Sequence, residues 1–148
     1  MIDFSKKFFV YGLGISGKSV IKFLRNYNYN FKAYDDDCSK NKLLNKNEIC
    51  KKQVLLKNLK GASYICISPS ISIRKHPILL KFKYKIILDL DILGSLIENN
   101  VKTIGITGTE GKSTVGNYLN INLNKKNKSI LLGNIGRTVL QKKIYVRL

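Results

Sequence analysis

The sequence is poor in acidic residues, in histidine, in paired cysteines and in long apolar runs, and each shortage excludes something. One histidine, His76, and three cysteines, Cys38, Cys50 and Cys66, with no C-x-x-C pair among them, do not give the spacings of a structural zinc site. An odd number of scattered cysteines fits reduced thiols in a reducing compartment. The longest apolar run, residues 86–93, is broken by Asp89 and Asp91, so nothing nears the roughly 20 residues that a membrane-spanning helix needs. The first seven residues lack the basic-then-apolar build of a secretion signal. Together these absences predict a cytoplasmic chain with no membrane partner.

The remainder is that of a globular protein: 148 residues, 44% hydrophobic and 24% charged, which is room for one ordinary domain or two very small ones. Nine Asp and Glu face 27 Lys and Arg, for a net charge of +18. That balance raises nucleic acid as a partner, yet the excess is almost entirely lysine, 23 against 4 arginines. It is also spread along the chain, +11 over residues 1–93 and +7 over 94–148. Specific nucleic-acid readers favour arginine, whose planar fork pairs bidentately with phosphate and guanine. The lysine runs therefore read as solvated faces, and no specific nucleic-acid partner is expected.

Periodicity alternates strand and helix. Residues 7–13 form a short apolar run ending in glycine, a buried strand. Residues 16–27 follow with Val20, Ile21, Leu24 and Tyr27 at helical spacing. A second strand is expected at 31–34, then a Lys- and Asn-rich stretch, 38–52, with one short helix. Strands are expected at 53–56, 64–68 and 86–90. Pro77 opens a helix to about residue 84, since proline suits the first helical position, and 91–98 reads as a short helix. After Asn99-Asn100 the pattern restarts, with a strand at 102–107, a glycine loop, a helix at 112–123, strands at 129–132 and 143–146, and a scrap of helix at 138–141. Alternation of this kind predicts an α/β protein with parallel sheets, divided into residues 1–93 and 94–148. The second piece has too little chain to bury its own faces.

Two glycine loops carry the chemistry. The first, Gly12-Leu13-Gly14-Ile15-Ser16-Gly17-Lys18-Ser19, follows a strand and opens a helix. It is at once G-x-G-x-x-G, with Asp35 after the next strand as in a dinucleotide-binding unit, and G-x-x-x-x-G-K-S, the P-loop string. In both readings glycines admit a phosphate to the backbone and the helix N-terminus supplies unpaired N–H groups; a tight turn with no ligand is the plain alternative. The second, Ile106-Thr107-Gly108-Thr109-Glu110-Gly111-Lys112-Ser113-Thr114, has Ile106 where the strict string has glycine. It keeps the working parts: backbone N–H groups of 108–112 to cradle phosphates, Lys112 to reach the β/γ oxygens, and Ser113 or Thr114 to hold Mg²⁺. The plain alternative is that Ser113 and Thr114 only cap a helix. Asp35-Asp36-Asp37 reads as ribose recognition rather than a metal cluster, and His76 as a helix-start residue.

These loops in this order resemble the ATP-dependent Mur ligases. Residues 107–114 look like that family's T-G-T-N-G-K-S-T. Gly12–Gly17, Ser68-Pro69-Ser70-Ile71 with His76-Pro77, Leu88–Leu93 and Gly133-Asn134-Ile135-Gly136 narrow the likeness to the branch that adds D-glutamate. The resemblance implies a Rossmann-like domain at residues 1–93 that binds the UDP of UDP-N-acetylmuramoyl-L-alanine, followed at 94–148 by the start of a P-loop-type, ATP-binding central domain. It implies Gly14, Ile15 and Ser16 at the diphosphate, Asp35 and Asp36 around uracil and ribose, Ser70 beside them and Asn134 in the cleft. MgATP would lie on Gly108, Thr109, Glu110, Gly111, Lys112, Ser113 and Thr114, with Lys112 catalytic and Ser113 and Thr114 toward Mg²⁺. In the family, ATP phosphorylates the alanine carboxylate and the amine of D-glutamate then attacks, a step of peptidoglycan precursor synthesis. Glu110 stands in place of the family's Asn, Ser70 where Gly is common and Lys18 where an apolar residue is common. The family's second-metal ligands and amino-acid-binding domain fall beyond Leu148, which implies that this stretch alone does not ligate. A non-catalytic nucleotide-binding remnant and a small NAD(P)-binding module remain the alternatives.

Overall fold

A computed structural model describes residues 1–133 and 138–140. Four strands, β1 (Phe8–Tyr11), β2 (Phe31–Tyr34), β3 (Tyr64–Ile67) and β4 (Ile86–Ile87), form one sheet of order β2-β1-β3-β4. Every pairing is parallel, and Tyr11 lies opposite Tyr34 on one side and Ile67 on the other. Parallel neighbours need crossovers. These are α1 (Ile15–Asn26) between β1 and β2, α2 (Leu55–Gly61) between β2 and β3, and α3 (Pro77–Leu80) between β3 and β4, with α4 (Asp89–Leu96) following β4. The chain is α/β, as its alternation predicts.

β1 is apolar at every position because it is covered on both faces, the pattern of a buried parallel strand. Phe8 and Val10 point to one side, where they meet Val20, Ile21, Phe23 and Leu24 of α1 and Ile92, Leu93 and Leu96 of α4. Phe9 and Tyr11 point to the other, against Leu55 and Leu59 of α2 and Leu79 and Phe82 at and after α3. Val139 and Leu140 join the first of these clusters.

Several expected elements differ. Residues 53–56 are not a strand: a 3-10 turn, Lys52–Val54, runs into α2. Leu55 and Leu59, four apart on one helical face, are the buried pair, and that spacing overrides a four-residue run with no alternation. The place beside β2 is taken instead by Ile49, bridged in parallel to Ala33. The fourth strand ends at Ile87 because Asp91 accepts the Leu88 backbone N–H at 2.7 Å and starts α4 early. The helix from Pro77 closes at Leu80, with a separate 3-10 turn, Lys83–Lys85, after it. Further along the chain α5 (Lys112–Leu123) forms where expected. Residues 102–107 and 129–132 are irregular rather than strands, since neither meets a pairing partner among the described residues. They still flank α5: a Cβ on Gly116 would stand 3.0 Å from Leu131 and 3.6 Å from Ile106. The strand expected at 143–146 lies outside the described residues. At 138–140 the chain is irregular, turning at 139–140, where a scrap of helix was expected.

Candidate functional site

The strand order reverses between β1 and β3, and in open α/β sheets that switch point, at the carboxyl ends of the strands, is where ligands lie. The first glycine loop leaves β1 there. Gly12 has φ +93°, and a Cβ on it would come within 2.4 Å of Ile71. A Cβ on Gly17 would sit 1.9 Å from the Gly12 carbonyl oxygen. Glycine is therefore demanded at Gly12 by its positive φ and at Gly17 by the backbone that the turn presses against the helix. Gly14 is different. It has φ −68° and nothing nearer than Ser68 Oγ, at 3.8 Å, to a Cβ. Internal packing does not require a glycine there, whereas an outside group approaching the backbone would. Gly14 is the N-cap of α1 and makes no side-chain cap hydrogen bond, so the first N–H groups of α1, at Ile15, Ser16 and Gly17, lack the side-chain partner such groups usually find. The P-loop string needs its Lys-Ser pair at the helix start, whereas α1 begins at Ile15 and places Ser19, buried, in its second turn.

Beside the loop is a recess of about 150 Å³ whose walls include Tyr11, Gly14, Asp35, Asp36, Ser68 and Ser70. Of the residues named from sequence, Gly14, Asp35, Asp36 and Ser70 line it, and exposed Ile15 and half-buried Ser16 follow Gly14 at the start of α1. The two aspartates have different surroundings. Asp35 is buried; one oxygen accepts the Leu13 backbone N–H at 2.6 Å, the other accepts the Asp37 backbone N–H at 2.9 Å, and Lys40 stands 3.4 Å away. Asp36 is half exposed and accepts the Tyr11 hydroxyl at 3.0 Å. Burial first, and then this carboxylate, push the Tyr11 hydroxyl's pKa well above its usual value, so it remains a donor. His76 is the N-cap of α3, as its place before Pro77 foretells, and it also stands with Nδ1 3.8 Å from Asp36. Tyr11, Ser68, Lys40 and His76 were not singled out as site residues from sequence. Their signal is topological: each follows or ends an element whose carboxyl end faces the recess. A larger open hollow, about 540 Å³, is bordered by Lys7, Lys57 and Lys60 at the opposite end of β1 and contains none of the expected residues.

A scan of known families matches the model of the Mur ligase MurD-like N-terminal domain over residues 6–87. The chain belongs to the MurD-like Mur ligases. The matched span runs from before β1 to the end of β4 and holds the whole recess. Among curated relatives, the UDP-N-acetylmuramoylalanine–D-glutamate ligase of Francisella philomiragia subsp. philomiragia is 36% identical over 143 residues, covering 92% of this chain and 31% of that protein. The enzyme of the same name from Francisella tularensis subsp. novicida is 37% identical over 140 residues, 92% of this chain and 30% of its own length. The chain thus spans a little under a third of the MurD-like ligases it matches.

The second loop has its own geometry. Gly108 and Gly111 have φ +151° and +71°, the latter in the left-handed region that glycine enters freely. Gly111 is the N-cap of α5 with no side-chain cap, so Ser113 and Thr114 lie inside the helix and do not cap it. Lys112 Nζ donates to the carbonyl of Gly108, and to that of Thr109 at 2.9 Å. The lysine therefore closes over its own loop. Glu110 is exposed. Asn134 lies outside the described residues.

Proposed function

We propose that this chain is the substrate-holding front part of a D-glutamate-adding Mur ligase, in which residues 1–93 bind the UDP moiety of UDP-N-acetylmuramoyl-L-alanine and residues 94–148 begin the ATP-binding domain. The observation that carries the reading is Gly14, a glycine that packing does not demand, standing over an uncapped helix N-terminus at the switch point of the sheet. There the backbone N–H groups of Ile15 and Ser16 would meet a diphosphate, favoured by the helix dipole. Asp35, Asp36 and Ser70, which line the recess, would face the nucleoside. A dinucleotide module would also use Asp35 as its ribose acceptor; here Asp35 holds the Leu13 and Asp37 backbone N–H groups and stands in the recess wall beside Asp36.

The second loop fits MgATP in kind: an uncapped helix start, two glycines with positive φ, a lysine held at the loop, and the Ser113 and Thr114 hydroxyls free of capping duty. ATP would supply the phosphoryl group that activates the alanine carboxylate for D-glutamate. The part of this chain would be to position the carboxylate-bearing nucleotide and neutralise phosphate charge. Ligation would need the further length that the relatives possess. Calorimetry on the 148-residue chain tests both sites. UDP and MgATP are each expected to bind, and Lys112→Ala to abolish MgATP binding while leaving UDP affinity unchanged. If Lys112→Ala leaves ATP affinity intact, the second loop is not the ATP site; if UDP does not bind the unaltered chain, the first assignment fails.

A further inference from the structure

We propose that Glu110 is the charge filter of the second glycine loop, admitting a triphosphate whose charge a divalent cation has reduced and disfavouring the bare anion; this deepens, and rests on, the reading of that loop as the ATP site. Acidic residues are scarce in this chain, and Glu110 is the sole Asp or Glu after Glu98. The one carboxylate of residues 99–148 stands between Gly108 and Gly111, both with positive φ. That is the stretch whose backbone N–H groups would meet phosphate, where a negative charge opposes an anion most directly.

The two charged side chains of the loop do not cancel each other. Lys112 Nζ turns back onto the Gly108 and Thr109 carbonyls. Glu110 is exposed and makes no ion pair with Lys112 or with any other described residue. Its charge is therefore not neutralised within the protein. Glu110 directly precedes Gly111, the N-cap of α5, so every rotamer keeps its carboxylate within about 10 Å of the loop N–H groups, the range over which charges act at 0.1 M salt. The plain alternative is a favourable contact with the α5 dipole, which predicts an effect on stability and none on ligand choice.

A bare nucleoside triphosphate carries about four negative charges and its magnesium complex about two, so repulsion by Glu110 falls hardest on the bare form. Mg²⁺ also keeps several of its waters when it binds phosphates, and such a water is a donor that a carboxylate accepts. Glu110 thus penalises the metal-free anion and tolerates the hydrated complex. It is a specificity residue, and it acts through charge without needing a fixed rotamer.

The test measures binding of ATP and of inorganic tripolyphosphate to the 148-residue chain, each with Mg²⁺ and with a chelator, counting only the part lost in Lys112→Ala. Glu110→Gln is expected to tighten metal-free binding of both ligands about fivefold and to change binding of their magnesium complexes by less than about twofold. Glu110→Lys should carry metal-free binding further in the same direction. Salt at about 0.5 M should erase most of the difference between the variants, since it screens exposed charges. Equal tightening with and without metal would make Glu110 a general repulsive charge and overturn the filter. Metal-free affinity that is no better in either variant, whatever the thermal midpoint does, leaves only the dipole contact and overturns it too; in both cases the ATP reading stands. If the unaltered chain shows no Lys112-dependent binding of MgATP, that reading fails and the proposal with it.

Discussion

Glu48 is a buried carboxylate that ties the stretch after β2 to the last turn of α1. It takes Arg25 of α1 in a forked pair, Nε to Oε1 at 2.8 Å and Nη2 to Oε2 at 2.5 Å, and accepts the Asn45 backbone N–H at 2.7 Å. The same stretch runs beside β2, with the Ala33 N–H donating to the Glu48 carbonyl at 2.8 Å and the Cys50 N–H to the Ala33 carbonyl at 2.9 Å. The Arg25 hydrogen bonds hold the Glu48 pKa below the ordinary value of 4.5. A carboxylate with a depressed folded-state pKa stabilises the fold fully above its unfolded value and loses that contribution as pH falls through the folded value. Glu48→Gln should therefore cost about 1–2 kcal/mol at pH 7, toward the low end because Arg25 is partly solvated. The deficit should shrink below pH 4.5; urea midpoints at pH 7 and pH 3 check this, and an equal deficit at both would refute it. At this scale the sequence was only half readable. Asp35, Asp36 and Ser70 could be named, but the meeting of Tyr11, Asp36 and His76 depends on which strands lie side by side. That relation spans residues far apart in the chain and leaves no local trace.

The loop joining β1 to α1 was legible because its signals are local: an apolar run, glycines at fixed offsets, then a 3.6-residue period. It also separates two uses of the same residue type. Gly17→Ala drives a methyl into the Gly12 carbonyl at 1.9 Å and should destabilise the chain by about 2 kcal/mol or more. Gly14→Val should leave the thermal midpoint nearly unchanged and reduce UDP binding about tenfold or more. A Gly14 variant that melts early yet binds normally would reverse these roles. Elements whose identity depends on neighbours were misread. A strand exists only through its partners, so residues 102–107 and 129–132, strand-like in composition, remain irregular. Residues 53–56 were too short to reveal that Leu55 belongs with Leu59.

Over the whole molecule, the sheet is covered on both sides at its centre, and two apolar clusters meet across β1. The positive charge is distributed over the outside, where lysine stems can lie along apolar surface with their ammonium groups in water. By contrast α5 buries only Gly116 and leaves Val115, Tyr118, Ile121 and Leu123 exposed. The α/β class was evident from alternation alone. The contribution of Val139 and Leu140 to the first cluster was not, because periodicity says nothing about which distant segment covers a given face.

The burial of the sheet also sorts the thiols. Cys50 and Cys66 lie in opposite clusters, with burial pushing both pKa values up, whereas Cys38 is exposed two residues beyond Asp36. Alkylating reagents attack the thiolate of accessible cysteines, so the folded chain should titrate as one fast thiol and two that appear only on denaturation. Three fast thiols under native conditions would contradict this packing. The chain thereby carries a built-in attachment point for a fluorophore two residues from Asp36 in the recess wall, and arrival of the proposed nucleotide could be followed optically without engineering the protein.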